Sequence, residues 1–173
     1  AKIWDAQTGR CLIEVSAHGM EIHAVQLSPD GKRIATASGD TVVVWDAQSG
    51  RPLGEPLKHG HRVSLMQFSP DGKRIVTTTG TTAPDWDRVN YDAGDSSAHV
   101  WDAESGRPLT PPLKHGGRVN SVRFSPDGKR IVTASDDESV CVWDAETGRL
   151  LTGPLKHRRE VLFAEFSPDG KRI

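Results

Sequence analysis

Three side-chain types that can cooperate in hydrolysis recur along this chain: an imidazole, a hydroxyl and a carboxylate. His115, Thr133 and Asp137 form the clearest set, and similar sets begin at His18 and His59. A histidine between a hydroxyl and a carboxylate can activate a nucleophile as a general base. Here, however, every set is followed by a tryptophan and comes back once per repeat. Because an active site needs only one such set, the repetition favours a structural role.

A second group of candidate ligands, four aspartates and one asparagine, lies within 80–95, GTTAPDWDRVNYDAGD. Its members are Asp85, Asp87, Asn90, Asp92 and Asp95. Their spacing lacks the Gly and Glu that a helix–loop–helix calcium loop requires at its sixth and twelfth positions. His59 and His61 are neighbours, but His59 belongs to a repeated set, and one further imidazole is a weak basis for a metal site. We therefore expect no metal and no cofactor.

Two sequence motifs recur along the chain with the same spacing. WDA occurs at 4–6, 45–47, 101–103 and 143–145, so its tryptophans are 41, 56 and 42 residues apart. SPDGKRI begins at 28, 69, 125 and 167, with the same three intervals. A shared period of roughly 40–45 residues indicates a repeat architecture. The long middle interval is an ordinary repeat with an insertion at 80–94.

Within a repeat the pattern is strand and turn. RVNSVRFS alternates, RIVTAS is β-branched, and SVCVWD is nearly all apolar, as expected of a strand buried on both faces. SPDG is typical of a tight turn. The recurrent lysines and arginines at turns are expected to form a solvated rim. Since proline cannot donate to a ladder, the proline-bearing fourth strand should be outermost; these prolines are Pro52, Pro56, Pro108, Pro111, Pro112 and Pro154.

These motifs resemble the WD-repeat (WD40) family of β-propellers, in which four-stranded blades surround a central channel. The resemblance covers the whole chain, and the near-identity of the units is similar to bacterial WD-repeat proteins, which often accompany signalling domains. It implies an all-β fold of four blade equivalents, three complete and two complementary half blades. Such a segment is part of a seven- or eight-bladed ring or dimerises into one. The units are 1–17 (partial), 18–58, 59–114, 115–156 and 157–173 (partial).

The resemblance also implies a buried hydrogen-bonded network in each blade, made of a His, a Thr, an Asp and the Trp. The matching residues of the three complete units are His18, Thr36, Asp40 and Trp45; His59, Thr77, Asp95 and Trp101; and His115, Thr133, Asp137 and Trp143. The partial units retain His157 and Trp4. Asp40 lies five residues before its tryptophan, whereas the other two aspartates lie six before theirs.

The insertion is the most individual feature of the chain, because it holds the only tyrosine and the only tryptophan outside a WDA motif. In a propeller it opens on the same face as the loops that join one unit to the next. Aromatic residues and arginine dominate binding hot spots. An alternative is that Trp86 folds back onto its own blade. The predicted partner-binding residues are Trp86, Arg88, Tyr91, His61, Arg62, Arg118, Arg158 and Arg159.

Composition narrows the function. The net charge of −1 argues against a nucleic-acid or membrane-surface partner, and no apolar run approaches the length of a bilayer span. Two cysteines and the lack of a signal peptide favour a cytoplasmic protein. We expect a non-catalytic scaffold that binds a protein or peptide. The alternative is a small-molecule or metal site, with or without enzymatic activity, at the channel mouth and insertion.

The two ends suggest how a ring could close. The start supplies the third and fourth strands of a blade, and the end supplies the first strand and the beginning of the second. We expect the chain to be a segment of a longer array. For the isolated chain, the hypothesis is that two copies join head to tail in an eight-bladed ring.

Overall fold

The computed structural model describes residues 1–15, 21–80 and 96–173. Every regular element in these ranges is a β-strand, and neighbouring strands pair antiparallel. No helix in the described ranges is long and apolar enough to cross a bilayer. The all-β prediction is therefore confirmed. The strands form one two-stranded hairpin and three four-stranded sheets, which do not close a ring within this chain.

In each four-stranded sheet the strands lie side by side in chain order, so each sheet is one blade. The N-terminal hairpin consists of β1 (Lys2–Trp4) and β2 (Cys11–Glu14). The first blade consists of β3 (Ala24–Leu27), β4 (Arg33–Ser38), β5 (Thr41–Asp46) and β6 (Pro52–Lys58). The second consists of β7 (Val63–Phe68), β8 (Arg74–Thr79), β9 (Ser97–Asp102) and β10 (Leu113–Lys114). The third consists of β11 (Val119–Phe124), β12 (Arg130–Ser135), β13 (Ser139–Asp144) and β14 (Leu155–Lys156).

The blades stack face to face. Trp101 of the second blade packs with Val42 and Val44 of the first, on the side that faces backward along the chain. The opposite face of the second blade carries Val100, which packs with Trp143 of the third. Side chains on a strand alternate between two faces, so apolar residues are needed at nearly every position of the middle strands. Each fully buried valine or leucine stabilises the fold by about 1.5–3 kcal/mol.

The outer strand is the irregular one. The fourth strand is outermost in every blade, as the prolines predict, but it is long only in the first blade, where β6 includes Pro52 and Pro56. In the second and third blades only two residues belong to the ladder, and Pro108 and Leu150 contribute isolated bridges. Pro111, Pro112 and Pro154 lie outside the strands. The prediction that all six prolines lie within the fourth strand is therefore wrong, because a proline without an N–H interrupts the ladder it flanks.

A glutamine connects the inner strands of neighbouring blades. Gln26 Oε1 accepts the backbone N–H of Phe68 at 3.0 Å, and Gln67 Oε1 accepts that of Phe124 at 2.9 Å. Both glutamines stand two residues before the serine of an SPDG turn. Each bond satisfies a backbone donor on the inner edge of the next blade, at the same place in both junctions.

An arginine makes a second connection between blades. Arg74 donates to the carbonyl of Gly128 at 2.7 Å and stacks over Phe124, and Arg130 donates to Gly170 at 2.8 Å. Each arginine follows the lysine of one SPDGKR motif and binds the corresponding turn of the next blade. The expected solvated rim is therefore wrong for these half-buried arginines, since their guanidinium groups are held by backbone acceptors and aromatic faces. The lysines beside them are exposed.

The periphery of the first junction is a close backbone contact. The N–H of Glu55 in β6 donates to the carbonyl of Ser105 at 3.1 Å. A Cβ on Gly106 would lie 2.0 Å from the carbonyl oxygen of Glu55, and Gly106 has a φ of +74°. Both the space and the left-handed backbone therefore require glycine at this turn.

We predict that Gly106→Ala lowers the free energy of unfolding by about 3 kcal/mol, because the methyl group forces two backbones apart and adds backbone strain. Urea denaturation of both proteins measures the effect. Gly9→Ala is the matched control, since Gly9 occupies the same turn of the N-terminal hairpin with a φ of +65° and nothing within 4 Å of where the added methyl group would lie. It should cost only the strain of about 1 kcal/mol. Equal losses in the two variants would contradict the packing argument.

Candidate interaction face and buried networks

The third blade contains a continuous network of four side chains. His115 Nδ1 donates to Asp137 Oδ2 at 2.9 Å, and His115 Nε2 lies 2.6 Å from Thr133 Oγ1. Trp143 Nε1 donates to the same threonine oxygen at 2.8 Å. The threonine comes from β12 and the tryptophan from β13, while the histidine and aspartate come from turns at one end of the sheet. The network thus connects the two middle strands to the turn that leads into the blade.

This geometry differs from that of a hydrolytic triad in one respect. The hydroxyl of Thr133 is completely buried, and its oxygen already accepts the indole N–H. A nucleophile must reach a substrate and needs a free lone pair directed at it. The third-blade network therefore acts as a hydrogen-bonded brace, in which a threonine satisfies an indole and an imidazole that are both taken from water.

Asp137 is held as a carboxylate. Burial by itself would raise its pKa, but hydrogen bonds from the Ser139 hydroxyl, the Gly116 N–H and the His115 ring outweigh burial and lower the pKa to about 2. Since the pKa in the folded state is below that of the unfolded chain, this group stabilises the fold above about pH 4. That stabilisation is lost as the pH falls toward 2.

The second blade repeats part of this network. His59 Nε2 lies 2.7 Å from Thr77 Oγ1, which also accepts Trp101 Nε1 at 2.8 Å. His59 Nδ1 is 3.2 Å from the carbonyl oxygen of Asp40 and 3.1 Å from that of Leu57. Because carbonyl oxygens only accept, the proton of the neutral ring is on Nδ1, and the threonine hydroxyl donates to Nε2. Asp95, the predicted fourth member, lies outside the described residues.

A second imidazole makes this blade different from the others. His99 stands two residues before Trp101, where the other blades have Val43 and Cys141. Its ring stacks on the indole with centroids 5.9 Å apart, and it meets His59 edge to face at 5.7 Å. Burial, followed by the charge of His99, lowers the pKa of His59 to about 4. His59 is therefore neutral in the fold at physiological pH.

The first blade retains the innermost connection of the network. Trp45 Nε1 donates to Thr36 Oγ1 at 2.8 Å, while His18 lies outside the described residues. The Asp40 carboxylate accepts the hydroxyl of Thr41 at 2.9 Å, and its backbone carbonyl accepts the N–H of His59. Asp40 thus occupies the register position of Glu138, whose carbonyl accepts the N–H of His157. That position is one residue later than that of Asp137.

The partial units hold the remaining two predicted members. Trp4 ends β1, and more than half of its surface is exposed. His157 is exposed beyond β14. Within the described ranges, the structure brings neither of them into a four-membered network, since the strands that supply the partners in the complete blades do not stand beside them.

Two of the predicted binding arginines, Arg62 and Arg118, lie close to Gly80, where the insertion begins. The turn between the second and third strands of a blade lies beside the turn that enters the blade: the N–H of Gly80 donates to Arg62 O at 3.1 Å, and that of Asp136 donates to Arg118 O at 2.9 Å. The side chain of Arg118 reaches within 3.7 Å of where a Cβ on Gly80 would lie. Two exposed arginines therefore flank the residue from which the insertion departs.

The other predicted contact residues divide into two groups. His61, Arg158 and Arg159 are exposed on turns that enter the second blade and follow the third. Trp86, Arg88 and Tyr91 lie outside the described residues, as does most of the insertion.

The sequence reasoning missed the connections between blades. Gln26 and Gln67 recur two residues before an SPDG serine, and the arginine of SPDGKR recurs in every repeat. These periodic polar residues were a detectable signal. Among the described residues, no cluster of three His, Cys, Asp or Glu side chains could hold a metal ion. Cys141 is buried in β13, where burial raises the pKa of its thiol.

Four-stranded antiparallel sheets that stack face to face and carry an indole–hydroxyl brace define a β-propeller segment. The family model described as "WD domain, G-beta repeat" matches residues 9–46, 54–102 and 107–144. The chain therefore belongs to the WD-repeat family, as the motifs indicated.

A solved structure supports the same fold. The chain is similar to the computationally designed Ika8 protein in its crystal structure, with a TM-score of 0.75 and 25% sequence identity. The match covers 96% of this chain and 46% of the Ika8 chain, so this chain spans about half the length of that protein. No curated protein matches the chain.

We predict that Thr133→Val lowers the free energy of unfolding by about 2–4 kcal/mol. The change leaves the Trp143 and His115 ring nitrogens buried without their common partner, and each unsatisfied polar group costs about 1–3 kcal/mol. Thermal and urea unfolding measure the loss. Thr152→Val, at an exposed position, should change stability by less than about 0.5 kcal/mol. A loss no larger than that of the control would show that the brace is not stabilising.

We predict that stability falls as the pH drops from about 6.5 to 4, because the unfolded chain protonates His59 in this window and the folded chain does not. The total effect is on the order of 3 kcal/mol. Urea denaturation at several pH values in this range gives the free energy of unfolding as a function of pH. That free energy should fall less steeply with decreasing pH in His59→Gln than in the unchanged chain. His61→Gln, at an exposed neighbouring position, should retain the full slope. Identical slopes in all three proteins would contradict the assignment.

Proposed function

We propose that this chain is a non-catalytic interaction scaffold that binds a protein or peptide through one propeller face and the 80–94 loop. WD repeats generally mediate interactions between proteins, and this chain belongs to that family. The observation that carries the proposal is the placement of exposed Arg62 and Arg118 on either side of Gly80. Arginine is enriched where interfaces derive most of their binding energy.

The buried networks support a role without catalysis. The hydroxyl and imidazole groups of each network already take part in hydrogen bonds with each other and with the tryptophan. The residues are Trp101, Thr77 and His59 in the second blade and Trp143, Thr133 and His115 in the third. What remains for recognition is the set of turns at the end of each blade. The alternative is a small-molecule or metal site, with or without enzymatic activity, at the channel mouth and insertion, and the insertion lies mostly outside the described residues.

We also propose that the binding face belongs to a closed ring. Three complete blades with a hairpin on one side and residues 161–173 on the other amount to four blade equivalents. Two copies joined head to tail would give eight, which lies within the usual range for propellers. We propose a cytoplasmic location for this assembly, in keeping with the two unpaired cysteines.

We predict that the double variant Arg62→Ala, Arg118→Ala weakens partner binding about tenfold or more, because it removes two charged anchors from one face. Affinity capture by the unchanged chain identifies the partner, and titration with that purified partner then measures dissociation constants. A chain lacking residues 80–94 should also bind more weakly.

The matched control is the double variant Arg51→Ala, Arg107→Ala. Both arginines are exposed on turns between the third and fourth strands, at the other end of the first and second blades. This variant should bind the partner like the unchanged chain. If the control weakens binding as much as the test variant does, the proposed face is wrong.

A further inference from the structure

An apolar surface that interior junctions cover is open on the first blade. Val25 and Leu27 on β3 are 55% and 52% exposed, and Trp4 of the N-terminal hairpin, which packs against the first blade through Ile3 and Ile13, is 55% exposed. Phe68 stands at the position equivalent to Leu27, one residue before the SPDG serine, and is only 3% exposed. The inner strands of the preceding blade account for that difference, because they pack against the backward face of the second blade. We call Trp4, Val25 and Leu27 the receiving face.

The segment 161–173 carries the complementary surface. Ala164 and Phe166 are buried against the third blade, whereas Ile173 is 53% exposed. Ile173 is equivalent to Ile131, which pairs with Trp143 in the ladder and is fully buried. The same register assigns Trp4 as the pairing partner of an isoleucine at this position. The segment and the receiving face therefore both carry exposed apolar residues, and Ile173 and Trp4 are each without the strand partner that the register assigns.

The two interior junctions specify the polar contacts of a further junction. Where the second blade meets the third, and where the third meets residues 161–173, an SPDGKR arginine donates to the glycine carbonyl of the next SPDG turn. At the first junction Arg33 instead forms ion pairs with Asp30 and Glu104. The equivalent pair at the open junction is Arg172 and Gly31. In the first two blades, a side-chain oxygen two residues before the SPDG serine accepts the N–H before the next SPDG serine. Glu165 and Leu27 occupy these positions at the open junction.

We infer that the receiving face of one copy binds the segment 161–173 of a second copy, with Arg172 on the Gly31 carbonyl and Glu165 on the Leu27 N–H. This inference rests on the ring closure proposed above and names the surface that carries it. A second copy is favoured because its segment 161–173 supplies Arg172 and Glu165 at the positions of these two contacts. Two copies form this junction twice, once at each end, and so make a closed two-fold assembly. In it, both receiving faces and both 161–173 segments are covered.

Sedimentation velocity and native mass spectrometry of the full chain test the inference, between about 1 and 100 μM, a range that brackets a micromolar dissociation constant. The expected species is twice the 18.8 kDa of one chain. Leu27→Lys and Arg172→Ala should each weaken the pair about tenfold or more, since each acts at both junctions. A single-chain mass over the whole range, or masses above two chains, would overturn the inference.

The substitutions at Glu165 separate the specific contact from general destabilisation. Glu165 is exposed, so changing it leaves the fold of one chain intact. Glu165→Gln keeps a side-chain acceptor, as at Gln26 and Gln67, and should retain the pair, whereas Glu165→Leu should weaken it severalfold. Arg149→Ala, at another exposed turn arginine, should have no effect. If Glu165→Leu and Arg172→Ala both dissociate like the unchanged chain, the assigned contacts are wrong.

The readout of this test is independent of partner binding. If the chain has a single-chain mass and its partner binding depends on Arg62 and Arg118, the proposed contact between copies is wrong and the proposed binding face is supported. A two-chain mass without such binding does the opposite. The two proposals therefore fail separately.

Discussion

The burial of an indole N–H between two sheets is the constraint on which the rest of this structure depends. Trp45, Trp101 and Trp143 each bring a large apolar ring to the face that meets the preceding blade, together with one donor that water no longer reaches. A threonine on the neighbouring strand satisfies that donor in all three blades. The threonine must be one strand away and two residues beyond the isoleucine that pairs with the indole. The need to satisfy one buried nitrogen therefore fixes the register of the middle strands.

The same constraint explains why the histidines recur. Thr77 and Thr133 can accept the indole and still donate their hydroxyl proton, and an imidazole from the turn before the inner strand is the acceptor. The histidine is in turn held by the Asp137 carboxylate in the third blade and by two backbone carbonyls in the second. A network in which every member is satisfied rigidifies the sheet. Its chemistry is therefore used for architecture, and recognition is left to the exposed turns.

The junctions between blades combine apolar packing with directional polar contacts. Apolar residues of neighbouring blades pack against each other, but this packing does not by itself fix which hairpin meets which. The Arg74 and Arg130 contacts with the next turn add direction, as do the glutamines of the first two blades. Arg123 replaces the glutamine in the third blade and stacks over Phe163. The polar contacts can therefore differ from one junction to the next while the blades stack in the same way. A surface from another copy could form the same kind of junction.

The sequence by itself determined the repeat length, the four strands per repeat, their order and the family, because two independent markers share one period and side-chain alternation needs no three-dimensional information. It also identified the residues of the third-blade network. Tertiary structure alone decided that the turn arginines bind the next blade and that the outer strands shorten around proline. Those features depend on contacts between residues that are 40 or more positions apart or on backbone geometry at a strand edge. A local pattern can specify which face a side chain takes, but only the packed neighbour determines which atom it meets.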